Sequence, residues 1–120
     1  MAKSHNVRTR RIYEASSPAD GKRILVDRLW PRGMSKQAAH IDEWLRSVAP
    51  SAELRRWYGH EPGKFSEFKR RYADELNDDE HQRAWHHLVA ESAQGTVTLL
   101  TATKDIEHSE AAVLAEWLTA

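Results

Sequence analysis

The sequence predicts an α/β fold, with a small, mixed but mainly parallel sheet of about three strands and helices packed around it. Three segments have strand-like patterns, and they span residues 7–13, 23–29 and 96–101. The second and third contain the apolar runs ILV and VTLL, which are typical of central strands covered on both faces. A long stretch of helical periodicity separates these two strands, as a crossover between parallel strands requires.

Length and composition favour one domain. The chain has 120 residues, of which 40% are hydrophobic, so we expect a single α/β domain over residues 1–120 with a flexible N-terminal tail at residues 1–6. The lack of cysteine excludes disulfides, thiolate metal sites and a cysteine nucleophile. No run approaches the roughly 18 apolar residues of a membrane span, and the N-terminus lacks a signal-type apolar segment. We therefore expect a cytoplasmic protein with no membrane partner.

The first strand, VRTRRIY, is polar enough to lie at a sheet edge. The segment SSPADG, which connects it to the second strand, is rich in turn-forming residues. This link is short for a crossover between parallel strands. We therefore expect the first strand to pair antiparallel with the second.

Helical patterns fill most of the remaining chain. Ser35 is a suitable N-cap, and apolar residues follow it at helical spacing as far as Val48, before Pro50 ends the pattern. This pattern predicts one helix over residues 35–49. Further helices are predicted to begin at Ser51, Pro62, Asp79 and Glu107.

Polar side chains follow both central strands. In open α/β sheets, ligands bind beyond the carboxyl ends of the strands, where the loops converge and helix N-termini point their amides outward. The second strand is followed by Asp27, Arg28, Trp30, Arg32 and Gly33. The third is followed by Lys104, Asp105 and His108. We expect these two groups to share one site.

The cations of this site predict an anionic ligand. Arg28, Arg32 and Lys104 would hold a phosphate or carboxylate, because guanidinium groups pair with such oxygens through two parallel hydrogen bonds. Gly33 would fix the turn, Trp30 would offer a stacking surface, and His60 could reach the same site from its loop. The structural alternatives are that Asp27 and Arg28 form an ion pair and that Trp30 anchors the core.

His108 is the predicted general acid or base of the site, with Asp105 or Asp27 orienting its ring. The alternative is that Asp27, Asp105 and His108 ligate a divalent metal. A structural alternative for Asp105 is a helix cap. The spacing D-x-x-H does not decide among these roles, so we assign no metal site and leave any cofactor open.

Three functions remain open from the residues alone. The first is an enzyme acting on an anionic, phosphate- or nucleotide-like substrate. The second is a non-catalytic module that binds nucleic acid or a nucleotide, and the third is a protein-interaction domain that uses the five tryptophans. Because 18 basic residues balance 18 acidic ones, the net charge does not favour nucleic acid as a partner. The oligomeric state is left open.

Segments such as LVDRLWPRG, WYGHEPGKF and TATKDIEHSE resemble, in order and spacing, the YeaO-like branch of a bacterial family of uncharacterised proteins, domain of unknown function 488. The resemblance covers nearly the whole chain, and LVDRLWPRG is its most specific motif. It implies a single α/β domain and names no substrate. The polar motif positions of the family fall on Asp27, Arg28, Trp30, Pro31, Arg32, Gly33, His60, Lys104, Asp105 and His108.

Overall fold

The computed structural model describes residues 6–120 and confirms the α/β fold. Its sheet has four strands rather than about three, and they lie in the order β1-β4-β2-β3 with every neighbouring pair parallel. The strands are β1 (Val7–Arg11), β2 (Lys22–Leu25), β3 (Glu43–Trp44) and β4 (Val97–Thr101). The predicted tail lies outside the described residues apart from Asn6, whose carbonyl accepts a hydrogen bond of 3.0 Å from the Val97 N–H.

Five α-helices surround the sheet among the described residues: α1 (Lys36–Ala39), α2 (Ala52–Tyr58), α3 (Phe65–Glu75), α4 (Asp79–Gln94) and α5 (Glu110–Thr119). Short 3₁₀ turns occur at Pro18–Asp20, Arg46–Val48, Pro62–Lys64 and Ile106–His108. Ser51 and Ser109 cap α2 and α5 by accepting a backbone N–H. Between residues 6 and 120, no helix combines the length and the apolar character that crossing a membrane would need.

The expectation that the first strand pairs antiparallel with the second is wrong. β1 pairs with β4 in parallel along its whole length, and β4 separates it from β2. The ten residues that connect β1 to β2 reach about 33 Å when extended, whereas a five-residue strand spans about 17 Å. The chain can therefore run back along the sheet and begin β2 parallel to β1 without a crossover helix. Gly21 makes the final turn into β2 with φ of 63°, where a Cβ would clash with the Thr96 carbonyl.

The expectation of one helix over residues 35–49 is also wrong. Helix α1 ends after one turn, and His40 adopts the left-handed conformation with φ of 48°. The guanidinium of Arg23 donates to the Ala39 and His40 carbonyls at 3.1 and 2.8 Å, so it satisfies the helix end. The chain then forms the two-residue strand β3 on the free edge of β2. Tertiary hydrogen bonds therefore override the local helical spacing.

The two faces of the sheet are covered by different parts of the chain. On one face, Ile24, Val26 and Leu99 pack with helices α2–α5 in the larger core. On the other face, Leu25 and Leu100 pack beneath the segment that runs from Trp30 to Trp44. Alternation along the strands thus sends apolar side chains to both sides, as the runs ILV and VTLL predict.

Candidate functional site

Asp27 joins the carboxyl ends of the two central strands. Its Oδ2 accepts a hydrogen bond of 2.8 Å from the Ala102 N–H, just beyond β4. Its backbone carbonyl accepts another, also 2.8 Å, from the Trp44 indole. The remaining carboxyl oxygen, Oδ1, is buried and has no conventional donor among the described residues. A buried oxygen of this kind needs a donor, because leaving it unpaired costs free energy.

Glu110 supplies the missing group. It is the first residue of α5, is only 7% exposed, and places its carboxyl group in hydrogen-bond contact with that of Asp27. Burial, and then the charge of Asp27, raises the pKa of Glu110 well above its ordinary value. Two adjacent carboxyl groups cannot both ionise cheaply, and the direction of the pKa shift leaves the proton on Glu110. Glu110 forms part of the lining of the site.

A small pocket of about 50 Å³ opens beside Glu110. It is lined by Pro50, Arg55, Tyr58, His60, Phe68, Thr103, His108, Ser109 and Glu110. A larger groove of about 380 Å³, lined by His60, Ala102, Thr103, Lys104 and Asp105, shares His60 and Thr103 with it. We call the pocket and the groove together the cleft. The cleft lies beyond the carboxyl end of β4, one of the two strand ends at which the sequence predicts a ligand site.

Asp105 and His108 are in direct contact at the cleft. The 3₁₀ turn Ile106–His108 brings the His108 Nδ1 to 2.8 Å from the Asp105 Oδ2. The ring also stands edge-on to Phe65, with centroids 5.1 Å apart. The His108 carbonyl accepts a hydrogen bond of 2.7 Å from the Tyr58 hydroxyl. The imidazole is therefore held by Asp105 and Phe65, and the backbone beneath it is held by Tyr58. Asp105 does not cap a helix through its side chain, since Ser109 caps α5.

His60 reaches the cleft through an unusual backbone conformation. It has φ of 56°, which side-chain-bearing residues adopt rarely, and it follows Gly59 with the same φ at the end of α2. Two successive left-handed residues reverse the chain before Pro62 begins the next turn. The His60 ring then lies 6.5 Å from the Tyr58 ring. This strained conformation is the local cause of its position at the mouth of the cleft.

The two arginines that motivated the anion-site hypothesis are found elsewhere. Arg28 lines a separate groove of about 260 Å³ with Arg46, Ser47 and Glu80. The Arg32 side chain is exposed, and its carbonyl accepts a hydrogen bond of 2.9 Å from the Tyr13 hydroxyl. Nothing in the described contacts joins either guanidinium to the cleft.

Trp30 and Gly33 hold the loop that follows β2. The Trp30 indole donates to the Met34 carbonyl at 2.6 Å and meets Trp44 edge-on, with ring centroids 5.3 Å apart. The ring therefore packs in the smaller core, which favours the structural alternative. Gly33 has φ of 77° and fixes the turn, as its residue type indicates.

Three titratable residues that line the cleft were not predicted as site residues from the sequence: Arg55, Tyr58 and Glu110. Arg55 and Tyr58 lie one turn apart on α2, and this spacing could have placed them on one face. Glu110 begins a largely apolar helix, but an acid in a first turn is usually explained by the helix dipole. The burial of Glu110 against Asp27 is a tertiary contact that no local sequence pattern predicts.

Comparison with known proteins shows to which family the chain belongs. Residues 6–120 match a family described as the inactive DUF488-N3 subclade. The chain belongs to the DUF488 family. It is 44% identical over 118 residues, or 98% of each chain, to the uncharacterized proteins Rv3073c of Mycobacterium tuberculosis and Mb3100c of Mycobacterium bovis. It is 37% identical over 113 residues to the uncharacterized protein YeaO of Escherichia coli, which covers 94% of this chain and 96% of YeaO. No solved structure matches.

Proposed function

We propose that this member of the DUF488 family binds a small anionic ligand of the phosphate or nucleotide class in the cleft without converting it. The observation that carries the proposal is the convergence of Arg55, His60 and His108 on one pocket, with Lys104 in the adjoining groove. A guanidinium, two imidazoles and an ammonium group would supply donors to phosphate oxygens. The chain has no net charge, so the attraction is local to the cleft.

The protonated state of Glu110 supports this proposal. An ionised carboxylate on the floor of the pocket would repel an anion, whereas a neutral carboxyl group does not. The raised pKa of Glu110 follows from its burial and from Asp27, and it removes one negative charge from the pocket. We place the phosphoryl group in the small pocket and the remainder of the ligand in the larger groove.

A binding role agrees with the family description, in which the word inactive applies to the matched subclade.

Nucleic acid is a weaker candidate than a small anion. Each cation of the basic run on α3 is already paired with an acid, since Lys69 pairs with Glu116 and both Arg70 and Arg71 pair with Glu67. The protein-interaction alternative is also weaker, because each of the five tryptophans is at least partly buried.

Thermal unfolding with added ligand tests the binding function. We expect inorganic phosphate or a nucleoside monophosphate to raise the Tm of the wild type, because a ligand at about 100 times its Kd adds about 2.7 kcal/mol to the unfolding free energy. Arg55→Met should abolish the rise. Arg70→Met, which removes an exposed arginine of α3, is the matched control and should keep it. No rise with any anion, or an equal rise in Arg55→Met, would contradict the proposal.

A second candidate, acid–base catalysis on the bound anion, is favoured by the 2.8 Å contact between Asp105 and His108. A carboxylate that orients an imidazole is a common arrangement for proton transfer. Incubation with phosphomonoesters and nucleosides, followed by NMR, separates the candidates. Catalysis predicts product that His108→Gln abolishes and Asp105→Asn reduces. Binding without product formation supports the first proposal.

A further inference from the structure

A second cluster of ligating side chains lies at the amino end of the sheet. His87 and Glu91 are one turn apart on α4, and Glu43 faces them from the edge strand β3. The His87 Nε2 lies 2.7 Å from a Glu43 oxygen and 3.6 Å from a Glu91 oxygen. The ligating atoms of the three side chains all lie within 4.8 Å of one another.

The surroundings of this cluster attract a cation. The ammonium group of Lys22, the first residue of β2, lies 2.5 Å from Glu91. Glu91 is also in the last turn of α4, where the helix dipole is negative and favours positive charge. The cluster therefore has an excess of acceptors around a single lysine.

We propose that Glu43, His87 and Glu91 form a binding site for a divalent transition metal ion, with Zn²⁺ as the best match. One imidazole nitrogen and two carboxylate oxygens are ligands that Zn²⁺ accepts, and three protein ligands leave a fourth position for water. The side chains of Glu43, His87 and Glu91 are 29%, 43% and 15% exposed, so they can settle at about 2.0–2.2 Å from the ion. The ion would join helix α4 to the edge strand β3.

This inference is independent of the proposed function, because the cluster and the cleft lie at opposite ends of the parallel strands. Asp27 and Ala102 follow the carboxyl ends of β2 and β4, whereas Lys22 begins β2. Loss of metal binding would leave anion binding in place, and the reverse also holds. The zinc titration and the anion-binding experiment therefore test the two proposals independently.

Titration of the full chain with Zn²⁺ by isothermal calorimetry tests the site. We expect one ion per chain, and His87→Ala should weaken binding at least tenfold, because even loss of an outer-shell partner costs about 10–100-fold. Glu43→Gln and Glu91→Gln change size little and should each weaken binding in the same way. If circular dichroism shows that His87→Ala is not folded, the Glu43→Gln and Glu91→Gln variants test the metal site in its place.

Two further variants make the test specific. His81→Ala removes another histidine of α4, which contacts only Asp78 among the described carboxylates, and should bind Zn²⁺ as the wild type does. Lys22→Met removes the competing ammonium group and should tighten binding. The proposal is overturned if the wild type takes up no Zn²⁺, or if the Glu43, His87 and Glu91 variants bind as tightly as His81→Ala.

Discussion

Strand β2 has a buried carboxyl group near each end, and the two differ in their partners. Asp20, before the strand, is fully buried and accepts hydrogen bonds from the Ser17 N–H at 3.0 Å and the Arg23 guanidinium at 2.6 Å. Burial acts to raise the pKa of Asp20, but the Ser17 N–H and Arg23 lower it on balance. At the other end, Asp27 meets Glu110, and burial raises the pKa of Glu110 instead.

The difference shows that burial alone does not determine the charge state of a carboxyl group. A guanidinium and a backbone amide keep Asp20 ionised, so it acts as a structural junction for Arg23 and the helix end that Arg23 caps. Glu110 has a second acid as its main partner and retains its proton. Only the second arrangement lines a pocket. The ion-paired Asp20 maintains the fold, and the pair of acids Asp27 and Glu110 borders the candidate site.

The largest expected effect comes from Arg23→Met, which would remove the buried guanidinium that lies 2.6 Å from Asp20. Removing one partner of a buried ion pair costs about 3–5 kcal/mol when the remaining charge is uncompensated. Because the partly exposed guanidinium of Arg8 stays 3.3 Å from Asp20, we expect a loss of up to that size in the free energy of unfolding measured with urea. Arg10→Met is the control, since Arg10 lies 4.0 Å from Asp20 and is partly exposed. Equal losses in both variants would show that Asp20 does not depend on Arg23.

The next effect is a change in pH dependence in Glu110→Gln. Because the folded-state pKa of Glu110 is raised, its contribution to stability is complete below the unfolded value near 4.5 and is lost as pH rises towards the folded pKa. Glutamine cannot ionise and avoids this loss. Above about pH 5, the variant should therefore gain on the wild type by up to about 1.4 kcal/mol per pH unit until the pH reaches the folded pKa of Glu110.

The acid side of the same stability curve provides an internal control. Asp20 has a lowered pKa, so its contribution is present above the unfolded value near 3.8 and is lost as pH falls through the folded pKa. Glu110→Gln should not alter that loss. Urea unfolding of Glu53→Gln, which changes an exposed carboxyl group of α2, should follow the wild type at every pH. A flat difference between Glu110→Gln and the wild type would mean that Glu110 is ionised in the fold.

A smaller effect is expected from Tyr58→Phe, which removes the hydrogen bond of 2.7 Å to the His108 carbonyl. Loss of one such bond costs about 1 kcal/mol, and the loop that holds His108 should also loosen. Tyr13→Phe removes a comparable bond of 2.9 Å to the Arg32 carbonyl at the surface. Urea unfolding should show the larger loss in Tyr58→Phe. A larger loss in Tyr13→Phe would show that the surface hydrogen bond of Tyr13 stabilises the fold more than the hydrogen bond of Tyr58 at the cleft does.

The smallest effect is expected from Glu67→Gln on the surface of α3. Hydrogen bonds from Arg70 and then Arg71 lower the pKa of Glu67 to about 2, yet the group lies at the surface. Exposed ion pairs contribute little to stability because water and salt screen them. We expect no measurable change in Tm at about 0.15 M salt. A clear fall in Tm would show that the charge network on this helix is stronger than its exposure indicates.

Local features of the candidate site could be predicted, whereas distant ones could not. Asp105 and His108 are three residues apart, so a single turn places them in contact. Arg28 follows β2 directly, but the direction of its side chain depends on the loop around it, and it lines a different groove. Glu110 meets Asp27 only because β4 and α5 return beside β2.

By itself, the sequence determined the α/β class, the apolar strands at the centre of the sheet and the serines that begin α1 and α2, Ser35 and Ser51, because periodicity and cap chemistry are local properties. Only the tertiary structure decided the strand order, the conversion of a helical pattern into β3, and the pairing of Asp27 with Glu110. These features depend on hydrogen bonds and desolvation between segments far apart in the chain. The charge of a buried group likewise depends on the partners that folding brings to it.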